Sequence, residues 1–166
     1  ASDTQHPQGP VVVFPTPEPV DLRRTDTIVL VDISDPGNVG TIIRSAVAFD
    51  WAVAIAGDTA DPWSPKAIRS SASTVFGVPI SKTETPLEFA AELDMTSVAS
   101  VVQGGETAPQ VTGPTVLLIG AEASGLPQSL VHGADIRLTI PMPGGTESLN
   151  AAVAAAIAMY SIAASR

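Results

Sequence analysis

Three polar constellations in this 166-residue chain have the residue types and spacing to do chemistry. The first is Asn38-Val39-Gly40-Thr41-Ile42-Ile43-Arg44, where Gly40 and Arg44 stand four apart, on one helical face. A guanidinium is permanently charged and offers forked donors suited to phosphate. A glycine one turn away leaves room for a substrate to approach it. The second is Gly120-Ala121-Glu122-Ala123-Ser124-Gly125-Leu126. Its backbone can cradle a ligand, and Glu122 can accept hydrogen bonds from ribose hydroxyls or from an arginine. The third is Ile140-Pro141-Met142-Pro143-Gly144-Gly145-Thr146-Glu147-Ser148-Leu149-Asn150. There Ser148 and Asn150 stand at the mouth of a helix beside a glycine-rich loop. Each also has an ordinary structural reading: Asn38 and Ser148 as helix caps, Arg44 as a solvated charge, Gly120 to Gly125 as a strand-to-helix turn. Neither the G-x-G-x-x-G nor the G-x-x-x-x-G-K-[ST] pattern is matched, so nicotinamide or ATP use is not supported.

The elements that must position these groups alternate. Ile28 to Val31 is a short continuous apolar run, as for a strand covered on both faces. Asp35-Pro36-Gly37-Asn38 breaks it, with Asp35 or Asn38 as cap and Pro36 suited to a first helical position. Val39 to Phe49 has helical spacing. Further strands are expected at 53–56, 78–80, 97–102, 115–119 and 136–140. Helices are expected at 66–75, at 86–93 with Thr85 as cap, at 126–131, and after Ser148 or Asn150. The pattern predicts an α/β domain with a mostly parallel sheet of about six strands. Ligands gather beyond the carboxyl ends of such strands, and glycine or proline loops follow Val102, Ile119 and Ile140. The last helix, Ala151 to Ala164, is small or apolar on every face, so it is expected inside the molecule or against a partner chain.

Composition narrows the function. Apolar residues make up 45% of the chain, which excludes general disorder, and the length suits one domain. Cysteine is absent, which removes disulfides and thiolate chemistry. The two histidines, His6 and His132, lie far apart without carboxylates at ligand spacing, so no metal site is expected. No run is long and apolar enough for a membrane span, and a cytoplasmic home is compatible. The net charge of −9 argues against a general electrostatic grip on nucleic acid. Residues 1–26, rich in proline, threonine and acidic side chains, read as a linker or arm, with one short edge strand possible at Val11 to Phe14.

Taken together and in this order, the three constellations resemble the signature motifs of the SpoU/TrmH family of RNA ribose 2′-O-methyltransferases, in the SPOUT superfamily. The matching pieces are Asp35-Pro36-Gly37-Asn38-Val39-Gly40 with Arg44, Gly120-x-Glu122-x-x-Gly125-Leu126, and Ile140-Pro141-Met142 with Glu147-Ser148-Leu149-Asn150. A weaker match, Asp61-Pro62 with Pro65-Lys66-x-x-Arg69-x-Ser71, lies between the first two. The resemblance implies a SPOUT domain over 27–166, with helices on both faces of the sheet and a C-terminal trefoil knot. It implies S-adenosyl-L-methionine held by Val102, Gln103, Gly104, Ile119, Gly120, Ala121, Glu122, Ile140, Pro141, Met142, Ser148 and Leu149. It makes Arg44 catalytic, with Asn38, Glu122, Ser148 and Asn150 positioning it, the ribose and the cofactor. It implies a homodimer with its site near the interface, and an RNA substrate, rRNA ahead of tRNA. Arg23, Arg24, Arg44, Lys66 and Arg69 would supply local RNA contacts. Many relatives carry an N-terminal RNA-binding domain before a linker, and such a domain is expected to precede residue 1; its basic surface would reconcile the acidic chain with RNA.

The chain departs from the family pattern at Asp50 and Ser73, where glycines are common, and at Ala151, where a bulkier residue is usual. None of these removes a signature polar group. The alternative reading is a non-catalytic SPOUT-fold module that binds cofactor or protein and dimerises. The intact Arg44, Glu122 and Asn150 speak against it.

Overall fold

A computed structural model describes Val13, residues 15–107 and residues 109–166. The strands are β1 (Thr27–Val31), β2 (Ala52–Ala56), β3 (Ile80–Lys82), β4 (Thr96–Val101), β5 (Thr115–Ile119) and β6 (Ile136–Thr139). The helices are α1 (Pro36–Ala48), α2 (Pro65–Ser70), α3 (Pro86–Glu92), α4 (Gln128–Gly133) and α5 (Ala151–Ala164). The six strands form one sheet in the order β3-β2-β1-β5-β4-β6, with every pairing parallel. Side chains alternate across it. Ile28, Leu30, Val53, Leu117 and Ile119 pack with Val39, Ile42, Ile43, Ala155 and Met159 on one face. Val29, Val31, Ala54, Val116 and Leu118 pack with Leu22, Ala90 and Leu130 on the other. This double cover is why β1 and β5 read as unbroken apolar runs.

Local chemistry accounts for the helix ends. Asp35 caps α1, its carboxylate accepting from the Gly37 amide at 3.0 Å, with Pro36 at the first helical position. At the other end Trp51 N–H donates to Ala46 C=O at 2.9 Å and Asp50 N–H to Val47 C=O at 3.2 Å. This is a Schellman turn, and it holds Asp50 at φ +60°. The departure from glycine at residue 50 therefore falls at a left-handed position. The same is true of Ser73, at φ +66°.

Several expectations need correction. The helix predicted over 66–75 stops at Ser70. Ala72 and Ser73 then take left-handed conformations, and Thr74–Gly77 forms a 3₁₀ turn. The Ser71 and Thr74 hydroxyls bond to main-chain carbonyls there, which competes with helix continuation. β3 begins at Ile80 rather than 78, and α4 at Gln128 rather than 126. Thr85 makes no side-chain cap. Asn150, not Ser148, caps α5. Of the two placements expected for α5, full burial within a single chain does not hold: Ala155, Ala158, Met159 and Ile162 are fully buried, whereas Val153, Ile157 and Tyr160 are exposed. Most of the expected strand at 11–14 lies outside the described residues. Further along the arm, Val20 N–H donates to Ile80 C=O on edge strand β3 at 3.0 Å.

The connection from β4 to β5 takes a detour. Glu106 N–H donates to Arg137 C=O at 2.7 Å, and its C=O accepts from Thr139 N–H at 2.9 Å. Those groups of β6 point away from β4, so the connection passes outside β6 before returning to β5. Gly105 allows it, because a Cβ there would lie 2.5 Å from Arg137 O. After β6 the chain turns back, and α5 packs on α1 and β5.

Candidate active site

Three loops meet at the carboxyl end of the sheet, and each is shaped by its own glycines. After β5, Gly120 must be glycine: a Cβ would come within 2.3 Å of Gly125 C. Gly125, at φ +66°, folds back so that its N–H donates to Ala121 C=O at 2.8 Å. The resulting lasso presents Glu122. After β6, Gly145 at φ +74° turns the 142–145 segment, its N–H donating to Met142 C=O at 3.2 Å. That turn leads to Ser148, Leu149 and Asn150.

The loops enclose a cleft of about 500 Å³, within the range of small-ligand sites. Val102, Ile119, Ile140, Met142 and Leu149 supply apolar wall. Gly120, Ala121, Glu122 and Ser148 also line it. Of the residues implicated by resemblance in cofactor binding, Gln103, Gly104 and Pro141 lie outside the lining. Others line it without having been singled out: Ser100, Ser124, Glu147 and Ala151 among them. Glu147 stood in the third motif, but no local pattern distinguished it from any other loop carboxylate.

At the rim the three motifs join through side chains. Asn150 is the hub. Its Oδ1 accepts from the amides of Ala152 at 3.0 Å and Val153 at 3.3 Å, capping α5. Its Nδ2 donates to Asn38 Oδ1 at 3.0 Å. Asn38 Nδ2 in turn donates to Glu122 Oε1. These residues lie 112 and 84 positions apart in sequence. Asn38 thus has both ends of its amide committed, and Glu122 keeps its second oxygen for a ligand.

Arg44 is exposed on α1, about two turns from Asn38, and no hydrogen bond or ion pair ties it among the described residues. Its guanidinium is available to a phosphate. Gly40 does not serve Arg44 as expected. It is buried against α2, where a Cβ would lie 2.3 Å from Ala67 O and 2.8 Å from Ser70 Cβ. Its role is close helix packing, not room for a substrate.

The other basic residues are dispersed. Lys66 Nζ bonds Asp35 Oδ1 at 2.5 Å, and this contact, with the Gly37 amide, holds the Asp35 carboxyl below its ordinary value. Arg24 is engaged at the opposite end of the sheet, donating to Asp94 C=O at 3.0 Å and facing its carboxylate at 3.3 Å. Arg23 adjoins it in sequence, and Arg69 is exposed on α2. Among the described residues no cluster suited to a metal ion occurs. No helix there is long and apolar enough to cross a membrane.

Comparison with known proteins agrees with this architecture. Residues 26–160 match the model of the SpoU rRNA Methylase family. A 23S rRNA (guanosine(2553)-2′-O)-methyltransferase, RlmP of Bacillus subtilis, is 33% identical over 166 residues, covering 96% of this chain and 66% of its own. A 23S rRNA (uridine(2479)-2′-O)-methyltransferase of Streptomyces viridochromogenes is 36% identical over 138 residues, covering 76% of this chain and 48% of its own. Among solved structures, the SpoU methyltransferase AviRb of S. viridochromogenes in complex with AdoMet superposes with a TM-score of 0.75 at 32% identity, over 86% of this chain and 58% of that one. An rRNA methyltransferase from Sinorhizobium meliloti superposes with a TM-score of 0.78 at 31% identity, over 86% of this chain and 57% of that one. The chain spans between about half and two thirds of these relatives.

Proposed function

The chain belongs to the SpoU rRNA methylase family, and from that membership we propose that it transfers a methyl group from S-adenosyl-L-methionine to a ribose 2′-hydroxyl of RNA, rRNA before tRNA. One observation carries the reading. The Asn150–Asn38–Glu122 chain of hydrogen bonds couples all three motifs at the rim of one cleft.

The cleft fits the cofactor by its donor set. Its apolar wall suits a nucleoside, and the loops around Gly120 and Met142 offer main-chain groups. Its charged side chains are the carboxylates Glu122 and Glu147, with no lysine or arginine, which suits a cationic ligand better than an anionic one. When bound, the cofactor supplies an activated methyl group. The protein's task is then alignment and removal of a proton from a poor nucleophile. Arg44 holds the substrate phosphate and stabilises the developing alkoxide; a guanidinium is a hydrogen-bond donor with no acceptor, so it does not take the proton. Asn38 and Glu122 orient the ribose, while Ser148 and Asn150 fix the cofactor side.

The functional unit in this reading is a homodimer. Val153, Ile157 and Tyr160 form an exposed apolar stripe on α5, and Phe49 at the end of α1 extends it, its ring 6.5 Å from that of Tyr160. A second copy of the chain would cover the stripe. The detour of the β4–β5 connection around β6, with α5 returning to α1, supports the trefoil knot. A cytoplasmic home fits an RNA substrate of this kind. Arg69 and Arg23, both exposed, are the further RNA contacts, with Lys66 recruited by exchange of Asp35 for phosphate.

The test is Arg44→Ala, assayed for transfer of labelled methyl to RNA and for cofactor affinity by calorimetry. Transfer should fall by at least about 100-fold, the loss of one charge-stabilising donor. Affinity should stay at the wild-type value, because Arg44 is not part of the cleft. Normal transfer by this variant would sink the assignment. Cofactor binding by a wild type unable to methylate RNA would favour the non-catalytic module.

A further inference from the structure

The side chains lining the cleft include two carboxylates, Glu122 and Glu147, and no cation. Glu122 is tied to Asn38, whereas Glu147 makes no hydrogen bond or ion pair among the described residues. Resting on the methyltransferase reading, we infer that Glu147 sets the specificity of the cleft for a charged sulfonium over the neutral thioether left after transfer.

The argument is one of charge. Methyl transfer from a sulfonium to a hydroxyl breaks an S–C bond and leaves its electron pair on sulfur. It forms a C–O bond and releases the hydroxyl proton to water. The ligand thereby loses one positive charge and one methyl group, and nothing else. Adenosine and the amino-acid portion are unchanged, so Val102, Ile119, Ile140 and Leu149 meet the same apolar surface before and after. Only the charged part of the lining can separate the two forms strongly. Two carboxylates with no compensating cation favour the sulfonium and weaken the hold on the spent cofactor. Because Glu147 is exposed, water screens its field. The expected contribution is therefore about three- to tenfold in affinity, not orders of magnitude.

Calorimetric titrations of the full chain test this, using S-adenosylmethionine, S-adenosylhomocysteine and sinefungin, in which a protonated amine replaces the methylsulfonium. Glu147→Gln, which keeps the side chain's shape, should lower the ratio of sulfonium to thioether affinity by about three- to tenfold. It should lower the sinefungin ratio likewise and leave thioether affinity nearly unchanged. Glu147→Lys should lower both ratios further. Raising salt from about 0.05 to 0.5 M should shrink the wild-type ratio and affect Glu147→Gln less. Ratios within twofold of wild type in both variants, or equal weakening of all three ligands, would overturn the inference and leave the methyltransferase reading standing. Failure of folded wild type to bind any of the three would overturn the cofactor reading, and this inference with it.

Discussion

Asn150 performs two tasks with two atoms, and substitution can separate them. Its Oδ1 caps α5 through the Ala152 and Val153 amides, while its Nδ2 donates to Asn38. Asn150→Asp keeps the capping oxygen and adds a negative charge at a helix N-terminus, worth about 0.3 to 1 kcal/mol in its favour. Asparagine and aspartate are equivalent as caps, so stability should stay within about 0.5 kcal/mol of wild type. Asn150→Ala removes the cap and should cost about 1 kcal/mol, or roughly 2–4 °C in Tm for a chain of this size. Both variants abolish donation to Asn38, freeing it to rotate and release Glu122. A lost hydrogen bond of about 1.5 kcal/mol in the transition state corresponds to about tenfold in rate. Aspartate also brings a second carboxylate towards Glu122, so Asn150→Asp should be the slower enzyme. Thermal denaturation and single-turnover methyl transfer at saturating cofactor measure the two effects separately. The reasoning fails if Asn150→Asp transfers methyl at the wild-type rate, or if it is as unstable as Asn150→Ala.

Other outcomes follow from the backbone and the buried groups. Asp50→Gly and Ser73→Gly each relieve a left-handed residue and should stabilise by about 1 kcal/mol, read as a higher denaturant midpoint with unchanged slope. Gly40→Ala forces α1 off Ala67 and Ser70 and should destabilise by about 1–3 kcal/mol in the same assay. The Asp135 carboxyl accepts from the Ser97 hydroxyl at 2.6 Å and amide at 2.8 Å, which lowers its pKa from the ordinary value. A lowered carboxylate contributes stability that is present above the unfolded value, about 3.9, and lost as pH falls through the folded one. Ser97→Ala should therefore lower stability at neutral pH and flatten its decline below about pH 4, as followed by denaturation at stepped pH.

Much of this molecule is a direct reading of its residues. The apolar runs at 28–31 and 115–119 are short and bounded by turn residues, which reads as strands covered on both sides. Asp35-Pro36 forms an N-terminus by its own chemistry, and three loops rich in glycine or proline mark the ligand-binding edge of a parallel sheet. Chain order and spacing also give the family, because the polar residues of its motifs are intact. Errors occurred where propensity is weak or the deciding partner is distant. The 66–75 helix ends early because serine and threonine hydroxyls compete for carbonyls, at a cost smaller than local periodicity can resolve. Alanine is equally compatible with every helical face, so α5 carried no mark of which side would be covered.

Only the tertiary structure decided the partners. That Asn38 spans Asn150 and Glu122, that Lys66 rests on Asp35 while Arg24 sits at the far end of the sheet, and that Gly40 serves helix packing are facts about residues brought together from afar. A side chain's type fixes what it can bond, and the sequence lists those capacities in full. Which capacities are joined depends on the sheet order, and β1 and β5, whose paired residues such as Thr27 and Val116 lie 89 positions apart, become neighbours only once the core is buried. For that reason the chemistry available to this chain was legible in its sequence, whereas the geometry that combines it, including the free carboxylate of Glu147 in the cleft, was not.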